Sequence, residues 1–335
     1  MKITRRAALK TGLATTAAGL AMPYIARTGF ADTPAQTLKM VFADTVAHPV
    51  YQVGLRFAEN VKKKTNGAIE VQVFGVGQLG TQVNMLTGMQ TGIIDLCAHT
   101  SGFIQTLYPQ FMVVDLPFLF SDVEKGHKMM DGPIGAKLLN ELPSKGVYGL
   151  SYGWWGWRVV DAVDRAVVEP EAMRGLKIRV QPGAIYAAMF TALGASPVQV
   201  DLSEVYLALS QHTVDAIEVP IISVVANKYN EVVKVISHTN HVYNAGAMMA
   251  SKRKLDTLDQ KYQEAIRQAA VEMTPDWRQT VAAASAQGAQ KLAADGIKLV
   301  EVDRQAYRKA LEPVYQQYRQ TIGADLTDAV LKAAS

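Results

Sequence analysis

Two arginines in apolar surroundings are the first residues of this 335-residue chain whose type and setting point to chemistry. Arg158 belongs to Gly153-Trp154-Trp155-Gly156-Trp157-Arg158-Val159-Val160, which holds three of the four tryptophans. Arg179 belongs to Gly175-Leu176-Lys177-Ile178-Arg179-Val180. Taken singly, such strand arginines are surface residues or members of internal salt bridges. Aromatic walls beside Arg158 would exclude water and strengthen any ion pair formed there.

A second constellation is Gly75-Val76-Gly77-Gln78-Leu79-Gly80, a GxGxxG that follows a strand pattern, precedes a helix pattern and has Asp95 twenty residues after Gly75. That is the arrangement of a dinucleotide site, with Gly75, Gly77 and Gly80 approaching a pyrophosphate, and it makes an exported NAD(P)-dependent oxidoreductase the alternative reading. Against it, Ile69-Glu70-Val71-Gln72-Val73 exposes every second residue, whereas the first strand of such a unit is apolar on both faces. A glycine-rich turn is the plainer account.

Other signatures are missing. The chain has no Gly-x-Ser-x-Gly elbow, no Walker loop and no His-Glu-x-x-His. His238 and His241 stand three apart without a nearby cysteine or an obvious third ligand, so neither metal nor cofactor is expected. Cys97, the only cysteine, lies in Ile93-Ile94-Asp95-Leu96-Cys97-Ala98 and reads as a small buried hydrophobe.

The elements that must position these residues alternate. Leu38, Met40 and Phe42 mark a strand; His48-Pro49 opens a helix carrying Val53, Phe57 and Val61, ended by Lys62-Lys63-Lys64 and Gly67. A second strand spans Ile69 to Val73, a helix Val83 to Gln90 and a third strand Ile93 to Ala98. The alternation resumes with strands at Leu176 to Val180, Pro197 to Val200 and Val214 to Glu218. They are separated by helices at Ile185 to Leu193 and from Ser203 as cap through Gln211. Alanine-rich sequence from Asp256 to Asp295 predicts one long helix, kinked at Pro275. This is α/β patterning, and a chain this long with 49% hydrophobic residues divides into two lobes. With no linker of low complexity, it is expected to cross between them more than once.

Residues 1–31 read as a removable export signal. Thr4-Arg5-Arg6-Ala7-Ala8-Leu9-Lys10 resembles the twin-arginine motif, Gly12 to Met22 is weakly apolar and too short to span a bilayer, and Gly29-Phe30-Ala31 suits cleavage before Asp32. The whole chain has 34 basic and 30 acidic residues, a formal +4. Lys2, Arg5, Arg6, Lys10 and Arg27 leave with the signal, so a chain starting at Asp32 has 29 basic and 30 acidic residues, net −1. No basic patch for nucleic acid remains.

From about Leu38 to Met249, and more loosely beyond, the chain resembles the solute receptors of tripartite ATP-independent periplasmic (TRAP) transporters. The resemblance rests on Gln78-Leu79-Gly80, Asp115-Leu116-Pro117-Phe118-Leu119-Phe120, Gly156-Trp157-Arg158, Gly175 to Val180, Leu193-Gly194-Ala195, Ser203 to Leu209 and Val214 to Pro220, in that order. It implies a periplasmic-binding-protein-like fold: two α/β lobes around a ligand cleft, with a long helix spanning both. The expected division is 32–155 plus about 245–280 for one lobe and about 156–244 plus 281–335 for the other. It implies a non-catalytic receptor that closes on a small organic carboxylate and delivers it to a membrane permease. Arg179 would grip the carboxylate with both prongs, Arg158 would add a contact, and Glu218 would orient Arg179. Asp44 and His99, at strand ends of the first lobe, would meet polar groups of the ligand, and Trp157 is the tryptophan expected to touch it. Val219 stands where receptors for sialic acid and many sugar acids carry asparagine. Asp44 and His99 favour hydroxyls, Val219 and the tryptophans a less polar ligand, and a hydroxylated or sugar acid is expected ahead of an aromatic or keto acid.

Overall fold

The computed structural model describes residues 36–75 and 78–334. The export signal and Gly77 therefore lie outside the described residues. The chain opens with β1 (Gln36–Phe42), α1 (Pro49–Lys64), β2 (Ile69–Phe74), α2 (Gln82–Thr91), β3 (Leu96–Thr100) and α3 (Ser101–Leu107). A turn over 109–115, α4 (Val123–Asp131) and α5 (Pro133–Glu141) lead to β4 (Val147–Trp154). Next come β5 (Arg158–Ala162), β6 (Lys177–Val180), α6 (Ala184–Ala192), β7 (Ser196–Gln199), α7 (Val205–Ser210), β8 (Ala216–Pro220), α8 (Ile221–Ala226) and β9 (Val235–Val242). The chain then returns through β10 (Ala245–Ser251), α9 (Lys252–Leu255), α10 (Gln260–Ala294) and β11 (Lys298–Val300) to α11 (Arg304–Ala310), α12 (Glu312–Ile322) and α13 (Ala324–Ala334).

Two sheets result, one per lobe. The first has the order β2-β1-β3-β10-β4, with β1 parallel to both neighbours and β10 antiparallel to β3 and β4. The second has the order β11-β9-β5-β8-β6-β7, with β5 antiparallel to β8 and β9. Local chemistry explains the first helix well. His48 caps α1 by accepting the Val50 N–H on Nδ1 (3.3 Å), Pro49 occupies its first turn and three lysines its last. Val50, Val53, Phe57 and Val61 bury one face.

Sequence and structure differ at several points. The third strand starts at Leu96 rather than Ile93, because Gly92 takes a left-handed φ of 81° and Ile93 turns outward, 68% exposed. Asp201, not Ser203, caps the turn before α7, its carboxylate accepting the Ser203 N–H (3.1 Å). Strands β9 and β10 carry no clear alternation, since β10 is buried on both faces. Cys97 is fully buried, and burial pushes its thiol up to about 12.

The chain crosses between the lobes at 155–157 and at 243–244, and the Trp155 N–H donates to the Asn244 carbonyl (3.2 Å), tying the crossings together. Glycine makes room for aromatic packing here: a Cβ at Gly153 would lie 2.4 Å from the Trp277 ring, and one at Gly246 would lie 2.1 Å from that of Trp155. Trp155 and Trp277 meet edge to face, centroids 4.7 Å apart. The third bridge is α10, continuous through Pro275. Its first half is fastened to the first lobe by Arg56–Asp276 (2.8 Å), Lys64–Glu272 (2.7 Å) and the two-pronged Arg278–Asp131 pair (2.7 Å). Its second half reaches α8 of the other lobe, Gly288 lying close against Ile221. Helix α12 packs on α6 and on the 109–115 turn, and α13 on α4, so the C-terminal helices touch both lobes.

Candidate functional site

The two lobes face each other across a narrow cavity of about 40 Å³ lined by the ends of β1, β3, β6 and β8 and by both crossings. The lobes meet directly around it: Thr100 Oγ1 donates to Gln181 Oε1 (3.0 Å), and His48 Nε2 lies 3.2 Å from Ser223 Oγ. Gly102 of α3 abuts the Gln181 and Tyr186 side chains of the opposite lobe.

Arg179 and Arg158 both line the pocket and both are buried, at 2% and 3% exposure. Their situations differ. Arg179 Nε donates to the Val200 carbonyl (2.9 Å), and among the described residues its terminal nitrogens have no ion pair and no hydrogen bond. Burial draws its pKa down from the ordinary value, with Glu218 opposing the shift. It stays cationic, and its fork is aimed into a closed pocket.

Arg158 is already engaged. Its Nε and Nη2 meet the Glu218 carboxylate, the Nη2–Oε1 bond being 2.8 Å; Nη2 also meets the Glu218 carbonyl, and Nη1 donates to Asn244 Oδ1 (3.1 Å). Its guanidinium carbon lies 5.2 Å from the centre of the Tyr186 ring. Burial disfavours its charge, but Glu218 more than offsets this, and its pKa rises. Burial also pushes Glu218 up, yet Arg158 and His241 hold its carboxyl at about 2. The expectation that Glu218 orients Arg179 is therefore corrected: it pairs with Arg158 across β5 and β8, where Arg158 faces Pro220 in register. Arg158 is a partner of Glu218 first and a candidate ligand contact only through what remains of its donors.

On the first lobe, Asp44 follows β1 and His99 lies in β3, and both line the pocket. His99 Nδ1 accepts the Thr100 N–H (3.0 Å), so its proton sits on Nε2, a buried donor with no partner among the described residues. Burial pushes this imidazole down to about 4, against the pull of Asp44, and it is neutral. Asp44 Oδ2 accepts the Trp155 Nε1–H (3.0 Å).

Trp155, not Trp157, forms the pocket wall. Strand alternation would place both on one face, but Gly156 takes φ of 101° and breaks it, leaving Trp157 half-buried against Tyr243. Val219 lines the pocket and its N–H donates to Asp161 Oδ2 (3.3 Å). The sequence reading missed Gln82, Gln181 and Asn244, which also line the pocket; each has a buried amide atom with no partner among the described residues. Only Asn244 left a signal, a polar residue just before the apolar run of β10, and it adopts φ of 57°.

The dinucleotide reading of Gly75, Gly77 and Gly80 is set aside. β2 is an edge strand of its sheet, and the Gly75 N–H is used by Gln78 Oε1 (2.7 Å) instead of facing a ligand. Among the described residues no group of three or more histidine, cysteine or acidic side chains could hold a metal ion. No described helix is long and apolar enough to cross a membrane.

Comparison with known proteins agrees with this geometry. The family model for bacterial extracellular solute-binding proteins, family 7, matches residues 42–321. The C4-dicarboxylate-binding periplasmic protein of Rhodobacter capsulatus is 32% identical, covering 90% of this chain and 92% of its own. The sugar acid binding protein of Advenella mimigardefordensis, solved with galactonate, superposes with a TM-score of 0.87 at 29% identity, over 90% of this chain and 99% of that one. A TRAP periplasmic solute binding protein from Polaromonas sp. JS666 bound to D-erythronate gives 0.85 at 31% identity, over 88% and 98%. Its members being periplasmic receptors of transporters and not enzymes, this chain belongs to the bacterial extracellular solute-binding protein family 7.

Proposed function

We propose that this protein is the periplasmic receptor for a hydroxylated monocarboxylic acid, of the sugar-acid kind, which it delivers to a TRAP-type permease. The observation that carries the reading is the free fork of Arg179, a buried cation with no direct ion pair among the described residues, on the wall of the pocket. Such a group costs stability unless an anion completes it, and a carboxylate matches it in shape. Asn244 and Gln181 stand by with unpartnered amide nitrogens, and His99 Nε2–H, Asp44 and Gln82 offer mixed donors and acceptors suited to hydroxyl groups. Relatives solved with galactonate and D-erythronate support this chemical class. Glu218 supports the site through Arg158, Val219 and Trp155 give it apolar walls, and Trp157 serves the hinge.

The lobes divide at 155–157 and 243–244, and they hinge about those crossings and α10. Export through the twin-arginine route is read from Arg5-Arg6 and the small-residue site before Asp32. The test is a melting-temperature screen of the mature protein with erythronate, galactonate, glucuronate and galacturonate, followed by calorimetry and solution scattering. At least one acid is expected to raise the melting temperature and shrink the radius of gyration. If none of these acids binds, or one binds equally well to folded Arg179→Ala, the reading fails.

A further inference from the structure

The pocket holds a charge that a receptor for carboxylates has no evident reason to keep. Asp44 places a buried carboxylate on its wall, opposite the lobe that carries both arginines. Glu218 is accounted for by Arg158. Asp44 pairs with neither arginine among the described residues. Its Oδ2 accepts the Trp155 Nε1–H at 3.0 Å, while His48 Nε2 stands near Oδ1 at 3.6 Å, beyond hydrogen-bond reach. His48 is itself fixed, Nδ1 taking the Val50 N–H and Nε2 lying 3.2 Å from Ser223 Oγ, and burial lowers its pKa against the pull of Asp44. Beside Asp44 on the same wall, Gln82 Oε1 is a buried acceptor without a partner among the described residues.

Resting on the receptor reading above, we infer that Asp44 makes this protein selective for acids with a single carboxylate, rejecting those with a second one at the far end. Of the charged side chains that line the pocket, Arg158 is paired with Glu218 behind it, Arg179 is left for the ligand, and Asp44 is the acidic one. One ligand carboxylate takes Arg179. The rest of a ligand long enough to reach Asp44 meets a fixed anion and an acceptor, and only groups that donate hydrogen bonds satisfy them. A hydroxyl donates; a carboxylate does not, and it adds like charge in a pocket from which the shut lobes exclude water. Within a family that also includes C4-dicarboxylate receptors, this places the choice between mono- and dicarboxylates at one residue.

Matched acids test the inference, because D-erythronate and meso-tartrate, or galactonate and galactarate, differ only in a terminal CH₂OH or carboxylate. Calorimetry on the wild-type protein is expected to show the monoacid of a pair bound at least about tenfold tighter, since like-charge juxtaposition is costly at a dry interface. Asp44→Asn, and independently Asp44→Ser, should weaken the monoacid modestly, strengthen the diacid and bring the ratio towards one. Equal affinity for both members of a pair in the wild type overturns the inference and leaves the receptor reading standing. So does a ratio unchanged in folded Asp44→Asn and Asp44→Ser. If neither member of either pair binds the wild type, the receptor reading fails for this class and the inference falls with it.

Discussion

Removing Arg179 separates binding from folding in a way that few pocket substitutions can. Its side chain has one internal hydrogen bond, Nε to the Val200 carbonyl at 2.9 Å, and the rest of the guanidinium is reserved for the ligand. Truncating one partner of a buried charge pair costs about 2–5 kcal/mol, or about thirtyfold to several-thousandfold in affinity. Arg179→Ala should fall within that range for the acid that binds. Arg179→Lys should lose a large part of it, because an ammonium keeps the charge but cannot span two oxygens or hold Val200 in the same geometry. The ligand-free protein should respond differently. Burial already works against the Arg179 charge, so its removal relieves a desolvation cost while losing one hydrogen bond of about 1 kcal/mol, and the melting temperature should change little. Arg158→Ala provides the contrast. It strands Glu218, fully buried and ionised, and should cost about 3–5 kcal/mol of stability. The assays are titration calorimetry and ligand-free thermal melts on all three variants. A marked fall in the melting temperature of Arg179→Ala with affinity retained would show that the two arginines have been given each other's roles.

Glu218 predicts an acid limb of stability. Its carboxyl is held at about 2 against an ordinary value near 4.5, a gap equivalent to about 3 kcal/mol. A depressed folded pKa means that this contribution is complete above about pH 4.5 and is lost as pH falls from there towards 2. Glu218→Gln should flatten that limb in denaturation curves taken at several pH values, and lower stability at neutral pH by leaving Arg158 unpaired. Gly102→Ala probes closure. The added Cβ would lie 2.4 Å from Gln181 Nε2 and 2.9 Å from the Tyr186 ring of the opposite lobe. Overpacking of about 1–3 kcal/mol would weigh on the shut state, so affinity should drop while the ligand-free melt stays near wild type.

How much of this was legible beforehand depended on the kind of signal. β1, α1 and β2 announce themselves by period and punctuation, since His48-Pro49, three lysines and Gly67 bracket one apolar stripe. β10 does not, being a central strand whose burial on both faces erases alternation, and β9 does not because Ser237, His238, Thr239, Asn240 and His241 give it no apolar stripe. The pocket arginines were found because charge inside an apolar strand is conspicuous, and Asp44 and His99 because they end strands that face the cleft. What could not be read was partnership. Nothing in the spacing of Glu218 says that it serves Arg158 and not Arg179; that follows from the antiparallel register of β5 on β8, a contact sixty residues apart in the chain. Trp155 displaced Trp157 for a similar reason, as the positive φ of Gly156 between them breaks the alternation that would have put both on one face.

The position of β10 bears on how the protein is made. It lies between β3 and β4, and β4 pairs with no other strand. During synthesis the first half of the chain emerges with its central slot unfilled, and β3 offers a bare apolar edge until translation has passed Ser251. The second sheet must be threaded through the ribosome in the meantime, because its strands β5 to β9 fall inside that interval. The first sheet therefore cannot be completed until most of the second has been made, whereas the second lacks only its edge strand β11 by then. Until then the nascent chain carries an open strand edge of the kind that chaperones shield and that neighbouring chains can pair with.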